Sequence, residues 1–295
     1  MSTTTLVFGA RGQLGHELCA LLDARGHDLV ALTRDDCDVT DARALHQVLA
    51  RVQPGLVFNA TAYNLVDAAE GAPDDALALN ALAPAQIAAL CRQHGAALVH
   101  FSTDYVFGPG HTQPIDESQQ PAPCSVYGRS KWLGEQLVAR NCPTSYVVRC
   151  CGLYSERRAN FIQTMLRHGL AGRTLRVVND QHVSPTWVQP LARVAVALTE
   201  SDVFGTYHAV AHGGCTWYEY AQKIFEILGV EVDLQPTTQA EYGAPAPRPG
   251  YSVLDNALLR LQDLDQFDTW DEALRVFLVK HGDALITQTT TCSIR

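Results

Sequence analysis

No apolar run in the sequence approaches the roughly 20 residues that a bilayer-crossing helix needs, so a helical membrane span is not expected. No CxxC occurs, and the nine cysteines (Cys19, Cys37, Cys91, Cys124, Cys142, Cys150, Cys151, Cys215 and Cys292) are odd in number and scattered. The spacing of a zinc site is therefore missing, and no metal is expected. The only close pair, Cys150-Cys151, is adjacent, which disfavours an ordinary disulfide. These are the thiols of a reducing, cytoplasmic setting, mostly buried as small hydrophobes. There is no long basic stretch, and the net charge is −9, against the positive footprint that general nucleic-acid binding requires. The opening MSTTTLVFGARG lacks a basic n-region, so no signal peptide is expected. No internal repeat is seen. What is present is an ordinary globular composition, 47% hydrophobic and 18% charged over 295 residues, enough for one large or two ordinary domains.

The first half alternates strand and helix patterns. Thr5 to Phe8 is a short apolar run that ends at Gly9, and Gly12 and Gly15 follow at GxxGxxG spacing before a helix marked by Leu14, Leu18, Leu21 and Leu22. Glycines placed between a first strand and a first helix allow backbone amides to approach a pyrophosphate at the helix N-terminus. Further strands are predicted at Asp28–Leu32, Gly55–Asn59, Ala97–Phe101 and Ser145–Arg149. Five strands alternating with helices predict an α/β fold with a doubly wound parallel sheet, whose ligands lie at the carboxyl ends of the strands. After the second strand come Thr33 and Arg34 rather than an acid, which favours a 2′-phosphate and hence NADPH over NADH. Asp38-Val39 is expected to open the next helix and to border the adenine. Asn59-Ala60-Thr61-Ala62-Tyr63 offers small residues at a strand end, and Asn80 lies on the following helical stretch, where a core amide satisfied by backbone is the blander assignment. Ser102-Thr103-Asp104-Tyr105 ends the fourth strand, where a hydroxyl can bond a substrate carbonyl, although SxD after a strand is more often a turn or cap. The Pro-, Gln- and His-rich segment up to Ser125 is expected to be a surface lid.

Tyr127 and Lys131 are four residues apart, which stacks them on one face of a helix that Ser125 can cap. Facing a pocket, the ammonium is expected to lower the phenol pKa, so that the tyrosine can give a proton to a carbonyl oxygen as hydride reaches its carbon. Alone, YxxxK is more often a helix-start aromatic with a solvated lysine. The convergence of the glycine turn, Asn59–Tyr63, Ser102–Tyr105 and Arg149–Gly152 on one sheet edge favours the chemical reading.

The second half is less regular. Helices are predicted over Asn160–Gly172, Pro185–Thr199, Thr216–Leu228 and Trp270–Lys280, with strands at Leu175–Val178 and Tyr207–Val210, the latter added to the sheet. Seven arginines between Arg140 and Val178 face one acid, Glu156, a positive field suited to a diphosphate. The expected division is a nucleotide-binding part over 1–152, with 186–212 returning to it, and a mainly substrate-binding part over 153–295 whose tail from about 284 is disordered.

The stretches FGARGQLG, NATAYNLVDAAE, HFSTDYVF, SVYGRSKWLGE, NFIQTML, RVVNDQHVSPT, TWYEYA and APAPRPGYSVLDN together resemble the extended short-chain dehydrogenase/reductases, and within them the dTDP-4-dehydrorhamnose reductase family. The resemblance runs to about Val279. It implies reduction of the 4-keto group of a nucleotide sugar, dTDP-4-dehydro-L-rhamnose in the parent case, by NADPH or NADH. The implied catalytic set is Thr103, Tyr127 and Lys131. Implied cofactor contacts are Gly9, Arg11, Gly12, Gln13, Leu14, Gly15, Arg34, Asp38, Val39, Asn59, Ala60, Thr61, Ala62, Tyr63, Asn80 and Ser102, with Tyr127 and Lys131. Implied substrate contacts are Val66, Thr103, Asp104, Tyr105, Gly152, Asn160 and Arg248. Gly152 stands where members of the family often carry a tryptophan against the sugar, so either the pocket is rebuilt or the substrate differs. A homodimer is allowed, with neither nucleic acid nor membrane as partner. An epimerase or dehydratase, and a non-catalytic subunit similar to the beta subunit of methionine adenosyltransferase, remain as alternatives.

Overall fold

The computed structural model describes residues 4–292. Its centre is a six-stranded, all-parallel sheet. The strands β1 (Thr5–Phe8), β2 (Leu29–Leu32), β3 (Leu56–Asn59), β4 (Ala97–Thr103) and β5 (Ser145–Cys150) are joined by Gly205–His208. Across the sheet the order is Gly205–His208, β5, β4, β3, β1, β2. The chain leaves β1 for β2 on one side and returns to β3 on the other. This reversal opens the crevice in which doubly wound sheets hold ligands.

Helices α1 (Gln13–Ala24), α2 (Ala42–Val52), α3 (Val66–Gly71), α4 (Pro73–Leu77), α5 (Ala83–His94) and α6 (Val126–Asn141) connect these strands. Leu14, Leu18 and Leu22 of α1 share one core cluster with Leu191, Ala192 and Ala195 of the helix Val188–Leu198. A second cluster joins Leu45, Val48 and Leu49 of α2 to Ile87, Ala88 and Cys91 of α5 and to Leu6 and Phe8 of β1. Both faces of the sheet are therefore covered, as an all-parallel sheet requires. No helix among the described residues is long and apolar enough to cross a membrane.

The structure corrects several sequence expectations. Asp38-Val39 does not open a helix. Asp38 accepts bonds from the Thr40 amide and hydroxyl, and the helix begins at Ala42, capped by Asp41. Pro185 does not start its helix either, because Thr186–Trp187 first pair with Leu153–Tyr154 and the helix begins at Val188. The segment before Ser125 lies at the surface, but it is anchored in its middle. Ile115 is fully buried and exchanges backbone bonds with Val253 and Asp255, while Glu117 accepts from the amides of His208 and Leu258. Of the tail expected to be disordered, the part up to Cys292 continues the helix Trp270–Cys292, and 293–295 lie outside the described residues. Leu285 and Ile286 pack on the core, and the hydroxyls of Thr287 and Thr289 bond the carbonyls of Asp283 and Leu285, one turn back.

Candidate active site

The glycine turn is shaped by backbone contact. Gly9 has φ +81°, and a Cβ there would lie 2.8 Å from the Ala60 carbonyl oxygen. A Cβ on Gly15 would lie 2.1 Å from the Gly9 oxygen, so α1 can start this close to the strand ends only with glycine. Gly12 occupies the N-cap of α1, and no side chain caps the helix. Its first amides are thus left to an outside acceptor, and an anion is the group such a terminus favours. Ser102, at the end of β4, has a buried hydroxyl without a protein partner. A glycine cradle, uncapped amides and an orphaned hydroxyl on one sheet edge fit a dinucleotide.

A segment that sequence reasoning did not assign lies over this turn. The Arg158 Nε donates to the Arg11 carbonyl at 2.6 Å, and the Ser155 hydroxyl donates to the Gln13 Oε1 at 2.8 Å. Asn160, expected at the sugar, instead caps the helix Phe161–Gly169 and donates to the same Gln13 oxygen at 3.2 Å. The run of arginines is the signal that was present, but its target was not readable without the fold. At the end of β2, both the amide and the hydroxyl of Thr33 donate to Asp36. Arg11 pairs with Asp35, and Arg34 is largely exposed, 3.5 Å from Asp38. Val39 is a core residue against Phe8 and Leu32 rather than a surface contact.

Tyr127 and Lys131 come from α6, whose N-cap is Ser125 as expected, its hydroxyl accepting from the Gly128 amide at 3.1 Å. The helix lies hard against its neighbours. A Cβ on Gly128 would lie 2.2 Å from the Tyr105 oxygen, and one on Gly134 would lie 2.0 Å from the Asn80 oxygen. Asn80 sits in a π turn, Ala78–Leu82, and is completely buried. Its amide accepts from the Tyr63 amide and donates to the Tyr63 carbonyl and the Ser130 hydroxyl. It therefore holds α6 and the Tyr63 loop together, and its side chain is not turned to a ligand. Asn59 is likewise internal, bonding Thr61 and His100.

The Lys131 ammonium is buried and donates to the Phe101 carbonyl at 2.6 Å. Burial lowers its pKa to about 8, against the raising influence of Cys150 and Glu135. The expectation that Lys131 lowers the tyrosine is reversed in this structure. Burial drives the Tyr127 phenol above its ordinary value, opposed by a hydrogen bond with Thr103. One turn beyond Lys131, Glu135 forms a bidentate pair with Arg149, at 3.0 and 2.7 Å, both side chains buried. His208 lies 3.3 Å from that guanidinium, and burial holds its imidazole down at about 3.

The substrate-side candidates gather in part. Val66 and Tyr105 pack around Tyr127 with Tyr63, and the rings of Tyr105 and Tyr127 meet edge to face at 5.5 Å. Arg248 is brought in by an ion pair with Asp67 at 2.9 Å and also bonds Tyr105, whose phenol burial pushes up to about 12. Gly152 has φ +53°, and a Cβ there would lie 3.1 Å from the Pro185 Cα and 3.6 Å from the Trp217 ring. The backbone thus favours glycine at this position, and the indole beside it comes from Trp217, whose ring centroid is 4.7 Å from that of Phe161.

A model of one family, the RmlD substrate binding domain, matches residues 3–282. The chain belongs to that family. A dTDP-4-dehydrorhamnose reductase of Streptomyces griseus is 40% identical over 276 residues, which cover 91% of each chain. A probable dTDP-4,6-dihydroxy-2-methyloxan-3-one 4-ketoreductase of Streptomyces antibioticus is 41% identical over 273 residues, 92% of each chain. The crystal structure of dTDP-4-dehydrorhamnose reductase from Bacillus anthracis in complex with NADP has a TM-score of 0.92 and is 35% identical. It covers 95% of this chain and all of its own. The RmlD assignment agrees with the parallel sheet and the glycine turn.

Proposed function

We propose that this protein reduces the 4-keto group of a dTDP-linked deoxy sugar with NADPH, dTDP-4-dehydro-L-rhamnose being the substrate. The observation that carries the reading is the Thr103–Tyr127 hydrogen bond at the end of β4, with the Lys131 ammonium on the Phe101 carbonyl of the same strand, beside a glycine cradle that fits a dinucleotide. Of the two similar Streptomyces proteins, one is named a dTDP-4-dehydrorhamnose reductase and the other a probable dTDP-4,6-dihydroxy-2-methyloxan-3-one 4-ketoreductase, so the names share the dTDP carrier and the reduction.

When bound, the reduced nicotinamide would supply hydride to the carbonyl carbon. Residues Gly9 to Gly15 would hold its pyrophosphate, Ala60, Thr61, Ala62 and Ser102 would line the crevice, and Arg34 or Arg11 would take a 2′-phosphate. Tyr127 gives its proton to the carbonyl oxygen. Its high pKa makes it a weak acid but keeps it fully protonated, and the developing alkoxide is more basic still. Thr103 steadies the same oxygen. The Lys131 ammonium, already on the Phe101 carbonyl, would hold the nicotinamide ribose with a further proton. Val66, Tyr105 and Arg248 form the sugar end. Residues 1–152 with 186–212 bind the cofactor, and the remainder closes over the sugar.

The test is oxidation of NADPH by purified protein given dTDP-4-dehydro-L-rhamnose, followed at the reduced nicotinamide absorbance. Wild type should turn over, and Tyr127→Phe should lose about 10²–10⁴-fold in kcat. Binding of NADPH without turnover would overturn the substrate assignment, and equal turnover by Tyr127→Phe would overturn the proton donor.

A further inference from the structure

The loop between Tyr154 and the helix Phe161–Gly169 lies over the glycine turn, and the chemistry above leaves it without a task. Its two ends are tied together. The Ser155 hydroxyl, 2% of whose residue is exposed, accepts from the Arg157 amide at 3.2 Å, and the Asn160 Nδ2 donates to the Ser155 carbonyl at 2.7 Å. Both side chains also donate to the Oε1 of Gln13, the first residue of α1. The loop is thus fastened to the helix whose first amides no side chain caps.

Arg158 stands within this loop. Its φ is +59°, in the left-handed region that a residue with a Cβ disfavours. Backbone strain of this kind gathers at ligand clamps. The Nε donates to the Arg11 carbonyl at 2.6 Å, one residue before Gly12, the N-cap of α1. The Nη groups have no partner among the described residues. The neighbouring cations are already matched. Arg11 pairs with Asp35 and Arg157 with Glu156, whereas among the described residues no carboxylate lies within ion-pair distance of Arg158.

We propose that Arg158 clamps the diphosphate of the dinucleotide, completing with its guanidinium the anion site that the glycine turn and the α1 amides begin. This rests on the cofactor reading above. With Nε held by the turn, both Nη groups are left to give a phosphate parallel bonds, the geometry in which a guanidinium binds it most strongly. The target is the diphosphate and not the 2′-phosphate, because Arg158 is bonded to the turn itself. The guanidinium groups of Arg34 and Arg11 lie instead beyond the end of β2, against Asp38 and Asp35.

The test is calorimetric titration of the whole chain with NADPH and no keto-sugar. Arg158→Gly suits it, because glycine adopts the left-handed backbone freely and the variant loses the guanidinium alone. Its thermal midpoint should stay close to that of wild type. Affinity for NADPH should fall about 10–100-fold, the worth of a charge-assisted bond. The dependence of that affinity on salt should become shallower, since one cation facing the phosphates is gone. Adenosine 2′-monophosphate carries the 2′-phosphate without the diphosphate, and in an NMR titration it should bind wild type and variant alike. Unchanged affinity for NADPH would overturn the clamp. So would an equal loss for adenosine 2′-monophosphate, which would put the arginine at the 2′-phosphate. Weaker NADPH binding with the salt dependence of wild type would also overturn it, because the bond to Arg11 would then only shape the turn. A wild type that binds no NADPH would remove the cofactor reading and the clamp together, an outcome distinct from wild type and variant binding it equally.

Discussion

Lys131 carries an ammonium to a place where 2% of the residue meets solvent, and this single fact sets a pH limit on the site. Burial has brought its pKa down to about 8. The free enzyme keeps the ammonium below that value and loses it as pH rises through it. If the ammonium holds the ribose, affinity for NADPH should fall above pH 8, by about tenfold for each further unit, and be flat below it. Calorimetric titration between pH 6 and 10 checks this, with Lys131→Met expected to bind weakly and without that pH dependence. The linked effect on folding has the opposite direction. An unfolded lysine keeps its proton to about 10.4, so between 8 and that value the unfolded chain binds more protons and this group's contribution to stability rises with pH. At this scale the sequence was informative where a placement follows from local spacing: Tyr127 and Lys131 on one helix, and the Ser125 cap, are such cases. It was uninformative where the partner is distant: Ser252 on Asp104, Arg158 on the glycine turn, Asp67 on Arg248. It also misjudged the Tyr127 pKa, because the desolvation that outweighs a nearby charge comes from the whole fold.

The helix α6 acts as one rigid bar. It is fixed at its start by Ser125 and by the Glu70 carboxylate on the Val126 amide at 2.8 Å, and along its length by the π turn. The strands of the central sheet were legible to within a residue or two, since short apolar runs between turns have few other fates, whereas Leu234–Thr237, which pairs with Leu175–Val178, was not foreseen. The π turn was not. Ala78–Leu82 reads as ordinary helix in sequence, and its widened turn shows only against Gly134, where an α6 Cβ would lie 2.0 Å from the Asn80 oxygen. Gly134→Ala should therefore lift α6 away from Asn80 and displace Tyr127 and Lys131 together. A displacement of about 1 Å can cost about 10²-fold in kcat. The expected result is that loss, with a far-UV spectrum like wild type. Full activity in the variant would mean that the π turn yields and the helix does not.

At the scale of the molecule, the part built on the central sheet is not contiguous in sequence. The sheet's outer edge at β5 is completed by Gly205–His208, whose His208 lies opposite Arg149. The helix Val188–Leu198 supplies Leu191, Ala192 and Ala195 to the face of α1. The sequence suggested this return through the Tyr207–Val210 run, but the strand order, with β1 between β2 and β3, depends on crossovers that periodicity does not encode. A fragment of residues 1–152 would therefore leave β5 as an edge strand, paired only with β4, and the leucines of α1 uncovered. Exposed edge strands and bare apolar faces associate. The 1–152 fragment is expected in the insoluble fraction, and a 1–212 fragment, which restores both the strand and the helix, in the soluble one. Expression of the two, read by the soluble fraction and by far-UV circular dichroism, checks this. A soluble, folded 1–152 fragment would show that α1 and β5 need no cover, and that residues 186–212 belong to the other half of the molecule.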